Sequence, residues 1–157
     1  MKYEGLCLSV KDIEDSKKFY CDLIGLEIDT DWGSNVGFKG GIVLQEGFDE
    51  IIGIPKESIV SRSHNMELVF EVDSFDEFVV KAENYPNIEF VKGGVIKQPW
   101  GQRVLHIYDP NGHIIEVGEK FLHVIQRFMS DGMSVEEVAK RCGMPVMDVE
   151  KYLKEEW

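Results

Sequence analysis

Glu116 is a lone carboxylate inside an apolar run. It follows the segment Val104-Leu105-His106-Ile107-Tyr108, the tetrapeptide Asp109-Pro110-Asn111-Gly112, and His113-Ile114-Ile115. Asp-Pro-Asn-Gly is turn chemistry, because proline pre-sets φ while Asn and Gly tolerate the positive φ of a reversal. The segment is therefore expected to be strand, tight turn, strand. A carboxylate flanked by Ile115 and Val117 has to face water, a cavity or a cation. Plain solvation on a half-exposed strand is the alternative. His106 depends on the turn. With a loop over 109–113, the pairs run 108:114 and 106:116, and His106 stands beside Glu116. With a loop over 109–112, Leu105 is the partner and His106 faces the other way.

Two similar sets of elements must position these groups. Leu6, Leu8 and Val10 alternate as in a strand, and a helix follows from Lys11 or Asp12. Ser16, Phe19, Tyr20 and Leu23 give that helix one buried face, and Gly25 stops it. Residues 26–32, 36–39 and 42–46 read as strands. The pattern then repeats. Leu68, Phe70 and Val72 alternate, Asp73-Ser74 caps a helix ending before Pro86, and strands are expected over 88–97, 102–108 and 113–118. The two first strands keep one constant offset, so their apolar faces fall on equivalent positions. Between the copies, Ile51, Ile52, Ile54 and Ile59 are too apolar for a free linker, so residues 47–65 are expected to pack on the domain or cover a cavity.

Residues 119–157 change to helical character. Phe121, Val124, Ile125 and Phe128 form a stripe, Ser134 to Glu137 is a capping box, and Val149, Tyr152 and Leu153 mark a last helix. Ser134 to Leu153 is similar to a helix-turn-helix. A transcription regulator would rest on this motif alone. The segment Asp148 to Trp157 carries Asp148, Glu150, Glu155 and Glu156 against Lys151 and Lys154, which would repel phosphate. A packing or dimerisation role is expected instead.

At 157 residues the chain is long enough for one domain with a proper core. A net charge of −12 argues against nucleic acid and anionic membranes as partners. No apolar run is long enough to span a bilayer, and no basic flank with an apolar stretch opens the chain. Cys7, Cys21 and Cys142 are odd in number and far apart, which fits a reducing, cytoplasmic setting.

The hairpin resembles the last hairpin of the vicinal oxygen chelate superfamily, which includes glyoxalase I, bleomycin-resistance proteins and extradiol dioxygenases. There a D-P-D-G turn precedes a metal-binding Glu. The beginning is similar too: a strand, a helix carrying Ser16-Lys17-Lys18-Phe19-Tyr20, and the exit Leu23-Ile24-Gly25-Leu26. The resemblance implies an α+β fold with two βαβββ modules, 1–46 and 66–118, forming a curved mixed sheet around a cavity. Residues 1–118 make that domain and 119–157 a helical extension. It also implies a homodimer, whose pairing would hide open sheet edges.

By strand parity Cys7 and Ser9 would share the cavity face with Gly5, and Glu67, Val69 and Glu71 would face it in the second module. The ligand positions implied by the resemblance are Gly5, Gln45, Glu67 and Glu116. Gly5 offers no side chain, Val43 shares the parity of Gln45, and Ser9 stands where glutathione-using relatives carry arginine. Gln45, Glu67 and Glu116 would hold Ni, Mn, Fe or Mg, and Zn less well. Glu67 and Glu116 are the candidate catalytic groups, because paired carboxylates in a poorly hydrated cavity raise one pKa toward that of a general base. Glu67 has exposure at a strand start as its alternative. Cys7, Trp100, Arg103 and His106 are candidate substrate contacts. Cys7 is otherwise a small buried hydrophobe and Trp100 core, while His64 and His113 are expected as exposed turn residues. The expected function is metal-assisted lyase, isomerase or dioxygenase chemistry on a small oxygenated substrate. The alternative is metal-free sequestration of a small molecule, as in bleomycin-resistance relatives.

Overall fold

The structure is a computed structural model, and it describes residues 1–154. It divides into two compact units. The first comprises 1–67, 85–89 and 108–114, and the second 68–84, 90–107 and the chain from 115 onward.

The first unit is built on strands β1 (Leu6–Val10), β2 (Ile28–Asp31), β3 (Asn35–Phe38) and β4 (Ile42–Glu46), in the order β1-β4-β3-β2. β1 runs parallel to β4, with Leu6 opposite Ile42 and Val10 opposite Glu46. β3 is antiparallel to both of its neighbours. Helix α1 (Ile13–Lys18) starts at Asp12, whose side chain accepts from Asp15 N, and continues as π-helical turns over Phe19–Ile24. Its inward face, Ile13, Phe19, Tyr20 and Leu23, is buried along with Leu8, Val10, Val36, Phe38 and Leu44. This is the amphipathic face read from the sequence. The connecting segment forms α2 (Phe48–Ile52) and a 3-10 turn, Lys56–Ser58. Ile51 and Ile52 are exposed. Ile54 and Ile59 are half-buried, and the segment is also held through its polar end: Ser61 Oγ donates to Asn111 O at 2.9 Å, His64 Nε2 lies 2.7 Å from Tyr108 Oη, and Arg62 stacks over the Tyr108 ring.

The Asp-Pro-Asn-Gly turn is tied to α1 by buried polar groups. Asp109 is 4% exposed. Its carboxylate accepts from Tyr20 Oη (3.0 Å), Asn111 N (2.9 Å), His113 N (2.8 Å) and His113 Nδ1 (2.8 Å). Asn111 accepts from Lys11 N and donates to Ser16 Oγ. Burial alone would raise the Asp109 carboxyl. The hydrogen bond and charge of His113, with the two backbone donors, outweigh it and hold the group below its ordinary range. Burial, reinforced by the Asp109 charge, pushes the Tyr20 phenol well above its ordinary value, so it stays a donor. His113 is thus a partner of the turn's buried carboxylate and not a free turn residue.

A second sheet repeats the strand order of the first. Strands β5 (Glu67–Val72), β6 (Glu89–Phe90), β7 (Ile96–Lys97), β8 (Arg103–Tyr108) and β9 (Ile114–Glu119) form a sheet in the order β5-β9-β8-β6, with β7 pairing β8. The single strand expected over 88–97 is two short pieces, interrupted where Gly93-Gly94 have no side chains to pack. α3 (Phe75–Glu83) has Ser74 at its N-cap, but no side-chain bond caps it. Asp73 pairs with Lys120 instead. Helices α4 (Phe121–Ser130), α5 (Val135–Cys142) and α6 (Val146–Lys154) follow, with Val124, Ile125, Phe128, Val138, Ala139 and Val149 as their core. The Ser134–Glu137 capping box forms as expected. Glu155, Glu156 and Trp157, part of the acidic segment weighed above, lie outside the described residues. α4 docks closely on the turn before β8: a Cβ at Gly101 would sit 2.3 Å from the Phe128 ring, so only glycine fits. Among the described residues no helix is long and apolar enough to cross a membrane.

Asp109→Ala would strand several buried donors and is expected to cost about 3–5 kcal/mol, with Tyr20→Phe costing about 1–2 kcal/mol. Urea denaturation of both variants checks this. Because the folded Asp109 pKa is depressed, its contribution is present above the unfolded carboxylate pKa and lost as pH falls through the folded value. Wild-type stability should therefore fall more steeply on acidification than that of Asp109→Asn.

Candidate functional site

β8 ends at Tyr108 and β9 begins at Ile114, so the loop is 109–113, the longer of the two turns considered. Asp109 N donates to His113 O and closes it. His106 then stands beside Glu116, with Nε2 2.8 Å from Glu116 Oε2, and both side chains are largely shielded (17% and 15% exposed). Ile107, Ile115 and Val117, which alternate with them, are buried. Alternation therefore places this polar pair on the face away from the core. Glu67, the residue at which the chain enters β5, supplies a third donor. One ligand atom from each of Glu67, His106 and Glu116 falls within 4.8 Å of the others. Glu67 is exposed, while the other two are intermediate. The same face of β5 carries Glu71, whose Oε2 accepts from Phe121 N at 2.8 Å and caps the start of α4.

The remaining expected site residues are placed as follows. Cys7 is exposed on β1, opposite Val43, and burial raises its thiol pKa, which disfavours the thiolate. It is not the buried hydrophobe considered above, because its neighbours Leu6 and Leu8 take the inward face. Gln45 is buried, and its amide is used within its own hairpin. Oε1 accepts from Asn35 Nδ2 at 2.6 Å, and Nε2 donates to Ser34 O and Glu46 O. Gly5 is held by its surroundings. A Cβ there would sit 2.3 Å from Gly41 O, the same oxygen that accepts from Leu6 N at 2.7 Å.

Arg103 is committed elsewhere in the second unit. It pairs with Asp76 and with Glu119, and its backbone N donates to Glu119 Oε1. Glu119 is 2% exposed and also receives two bonds from Arg127. Burial alone would raise its carboxyl, but the Arg127 and Arg103 bonds outweigh that and hold it at about 2. Arg127 also donates to Gly101 O. This network ties α4 to β8 and β9, and the sequence reading missed it. The available signal was an acidic residue at the inward position of an apolar strand, followed eight residues on by an arginine on the stripe-bearing helix. Trp100 is partly exposed, with its indole N–H bonded to Gln102. A pocket of about 380 Å³ in the first unit, bordered by Lys11, Phe19, Tyr85 and Tyr108, contains none of the residues singled out for chemistry.

The repeated strand order and the carboxylate-bearing last hairpin have counterparts among known proteins. The model of the glyoxalase-like domain matches residues 3–122, and the chain belongs to that family, within the vicinal oxygen chelate superfamily. The family includes enzymes and resistance proteins. The uncharacterized protein YraH of Bacillus subtilis is 30% identical over 134 residues, covering 74% of this chain and 97% of that protein. A protein of unknown function from Agrobacterium tumefaciens is similar in structure at a TM-score of 0.65, with 38% identity over 76% of this chain and 94% of its own. The fosfomycin resistance protein FosX of Listeria monocytogenes shares the fold at a TM-score of 0.59, with 20% identity over 79% of this chain and 97% of its own.

Two substitutions check these local constraints. Gly5→Ala should lower stability by more than about 2 kcal/mol, since the clash is with the Gly41 carbonyl, just ahead of β4 and bonded to Leu6 N. Glu119→Gln leaves two arginines short of their buried carboxylate, and a loss of about 3 kcal/mol in chemical denaturation is expected.

Proposed function

We propose that this chain is a metal-assisted enzyme of the glyoxalase-like family, acting on a small oxygenated molecule by lyase, isomerase or dioxygenase-type chemistry. The observation that carries this reading is the convergence of Glu67, His106 and Glu116 within 4.8 Å. A divalent cation about 2.1 Å from each donor sets neighbouring donors about 3 Å apart. The 2.8 Å between His106 Nε2 and Glu116 Oε2 fits that spacing. Glu67 and Glu116 are the residues that would hold the ion, and a cation bound there would polarise a substrate oxygen as a Lewis acid. One of the two carboxylates would take up and return a substrate proton. Glu67, being exposed, is the one that substrate reaches most readily. Arg103, paired with Asp76 and Glu119, and Trp100, bonded to Gln102, take no part in that proton transfer.

A second reading has its own support. With a backbone oxygen occupying the space of a Cβ at Gly5, the family's first ligand position has no donor. This favours a metal-free protein that sequesters a small molecule. On either reading the partner is a small molecule and the chain is a cytoplasmic homodimer.

Metal analysis of protein purified without chelators or metal-affinity resin, followed by titration with Ni, Mn and Zn, separates the two readings. The enzyme reading expects about one weakly held ion per chain, because two carboxylates leave most coordination positions to water. Glu116→Gln should abolish uptake while shifting unfolding free energy by less than about 1 kcal/mol. Absence of uptake by the wild-type protein would leave the sequestering reading. Light scattering at micromolar concentration should report a dimer, and a monomer alone would contradict the assembly.

A further inference from the structure

The geometry points to His106 as a third metal ligand beside Glu67 and Glu116, in a chain whose position 5 carries no donor. This rests on the metal-binding reading above and goes beyond it, since the pattern-derived ligands were oxygen donors and His106 was expected to contact substrate.

A missing ligand is often a matter of one substitution, but at Gly5 the backbone forbids the side chain. Gly41 O occupies the place of a Cβ at 2.3 Å, and Gly41 Cα lies at 3.3 Å. That carbonyl cannot move freely, because it accepts from Leu6 N at 2.7 Å where the parallel ladder of β1 and β4 begins with Leu6 opposite Ile42. Gly41 has φ +88°, a conformation that favours glycine, and a Cβ there would be in ordinary contact with Gly5 Cα at 3.4 Å. The two glycines fit one another, so the pair commits this chain to a site without a donor at position 5.

His106 offers a replacement from the other side of the hairpin. The loop 109–113, fixed by the buried Asp109 carboxylate, sets the two strands so that His106 lies beside Glu116. Nε2 is 2.8 Å from Glu116 Oε2, the spacing of adjacent ligands on one ion. The imidazole and the carboxylate keep 17% and 15% of their surface exposed and Glu67 is exposed, which leaves an approach for an ion. Adding Glu67 gives one nitrogen and two carboxylate donors within 4.8 Å. The chemical consequence is selectivity. Imidazole is a borderline donor suited to Ni, Cu, Zn and Fe, whereas an all-oxygen set suits Mg, Ca and Mn.

The test uses the full chain with any tag removed, stripped with a chelator that is then dialysed away. Competition titration with Ni and Mg, and electron paramagnetic resonance of the Cu(II)-loaded protein, are applied to wild type, His106→Gln and His106→Glu. In wild type we expect nitrogen superhyperfine splitting and Ni preferred over Mg by at least 100-fold. Both variants should lose that splitting, and their preference for Ni should fall at least 10-fold. His106→Glu keeps an oxygen donor and should still bind an ion, so a failure of His106→Gln to fold does not decide the question. Wild-type protein that binds Ni, with the splitting and preference unchanged in both variants, overturns the role of His106 while leaving metal binding intact. Wild-type protein that takes up no ion overturns both. Gly5→His should not raise Ni affinity, and a gain of 10-fold or more would contradict the closed position.

Discussion

A buried carboxylate organises the functional end of this chain. Asp109 is a charge nearly out of contact with water, which would be unfavourable by several kcal/mol if it were unpaired. Four donors from Tyr20, Asn111 and His113 converge on it. Each is set by a different part of the local structure: the helix face, the turn backbone and the residue that opens the return strand. With these bonds in place the loop has one length, and hairpin register follows from loop length. A shift of one residue would exchange the faces of β9, turning Glu116 inward and Ile115 outward. The facing of Glu116 therefore depends on this hydrogen-bonded cluster.

Two carboxylates in neighbouring parts of the same sheet do opposite work because their partners differ. Glu119 ends β9 on its buried face, where two guanidinium groups hold it ionised and fix α4 against the strands. Glu116, three residues earlier on the other face, has the imidazole of His106 as partner and remains within reach of solvent. The first is a structural charge that a cation would have to displace two arginines to reach. The second is available. In the first unit, close packing acts by exclusion: the Gly5 and Gly41 backbones meet where a side chain at position 5 would begin.

The fold was largely legible in the sequence. Alternation of Leu6, Leu8 and Val10, its repeat at Leu68, Phe70 and Val72, and the stripe through Phe19 and Tyr20 report burial directly, and the strands and helices formed where those patterns lie. Residues 88–97 failed as one strand because the interruption at Gly93-Gly94 outweighed the apolar residues around it. The site was less legible. Parity gave the face of Glu116 only once the turn length was known, and that length is set by Asp109 contacts with Tyr20 and His113, distant or off-strand partners that no local pattern reports. The pairing of Arg103 with Asp76 and Glu119 was equally hidden, because nothing local in the sequence discloses those partners. Gly5 read as a missing ligand; its clash with Gly41 O is a fact of three-dimensional packing alone.

The central claim is that the outward face of the last hairpin, with Glu67, forms a cation site. Crystals soaked in Ni, with diffraction recorded on both sides of its absorption edge, test that claim most directly. The account predicts one anomalous peak per chain, bounded by the carboxylates of Glu67 and Glu116 and by His106 Nε2. A map with no peak there, or with Ni only at His64, His113 or His123, would contradict it.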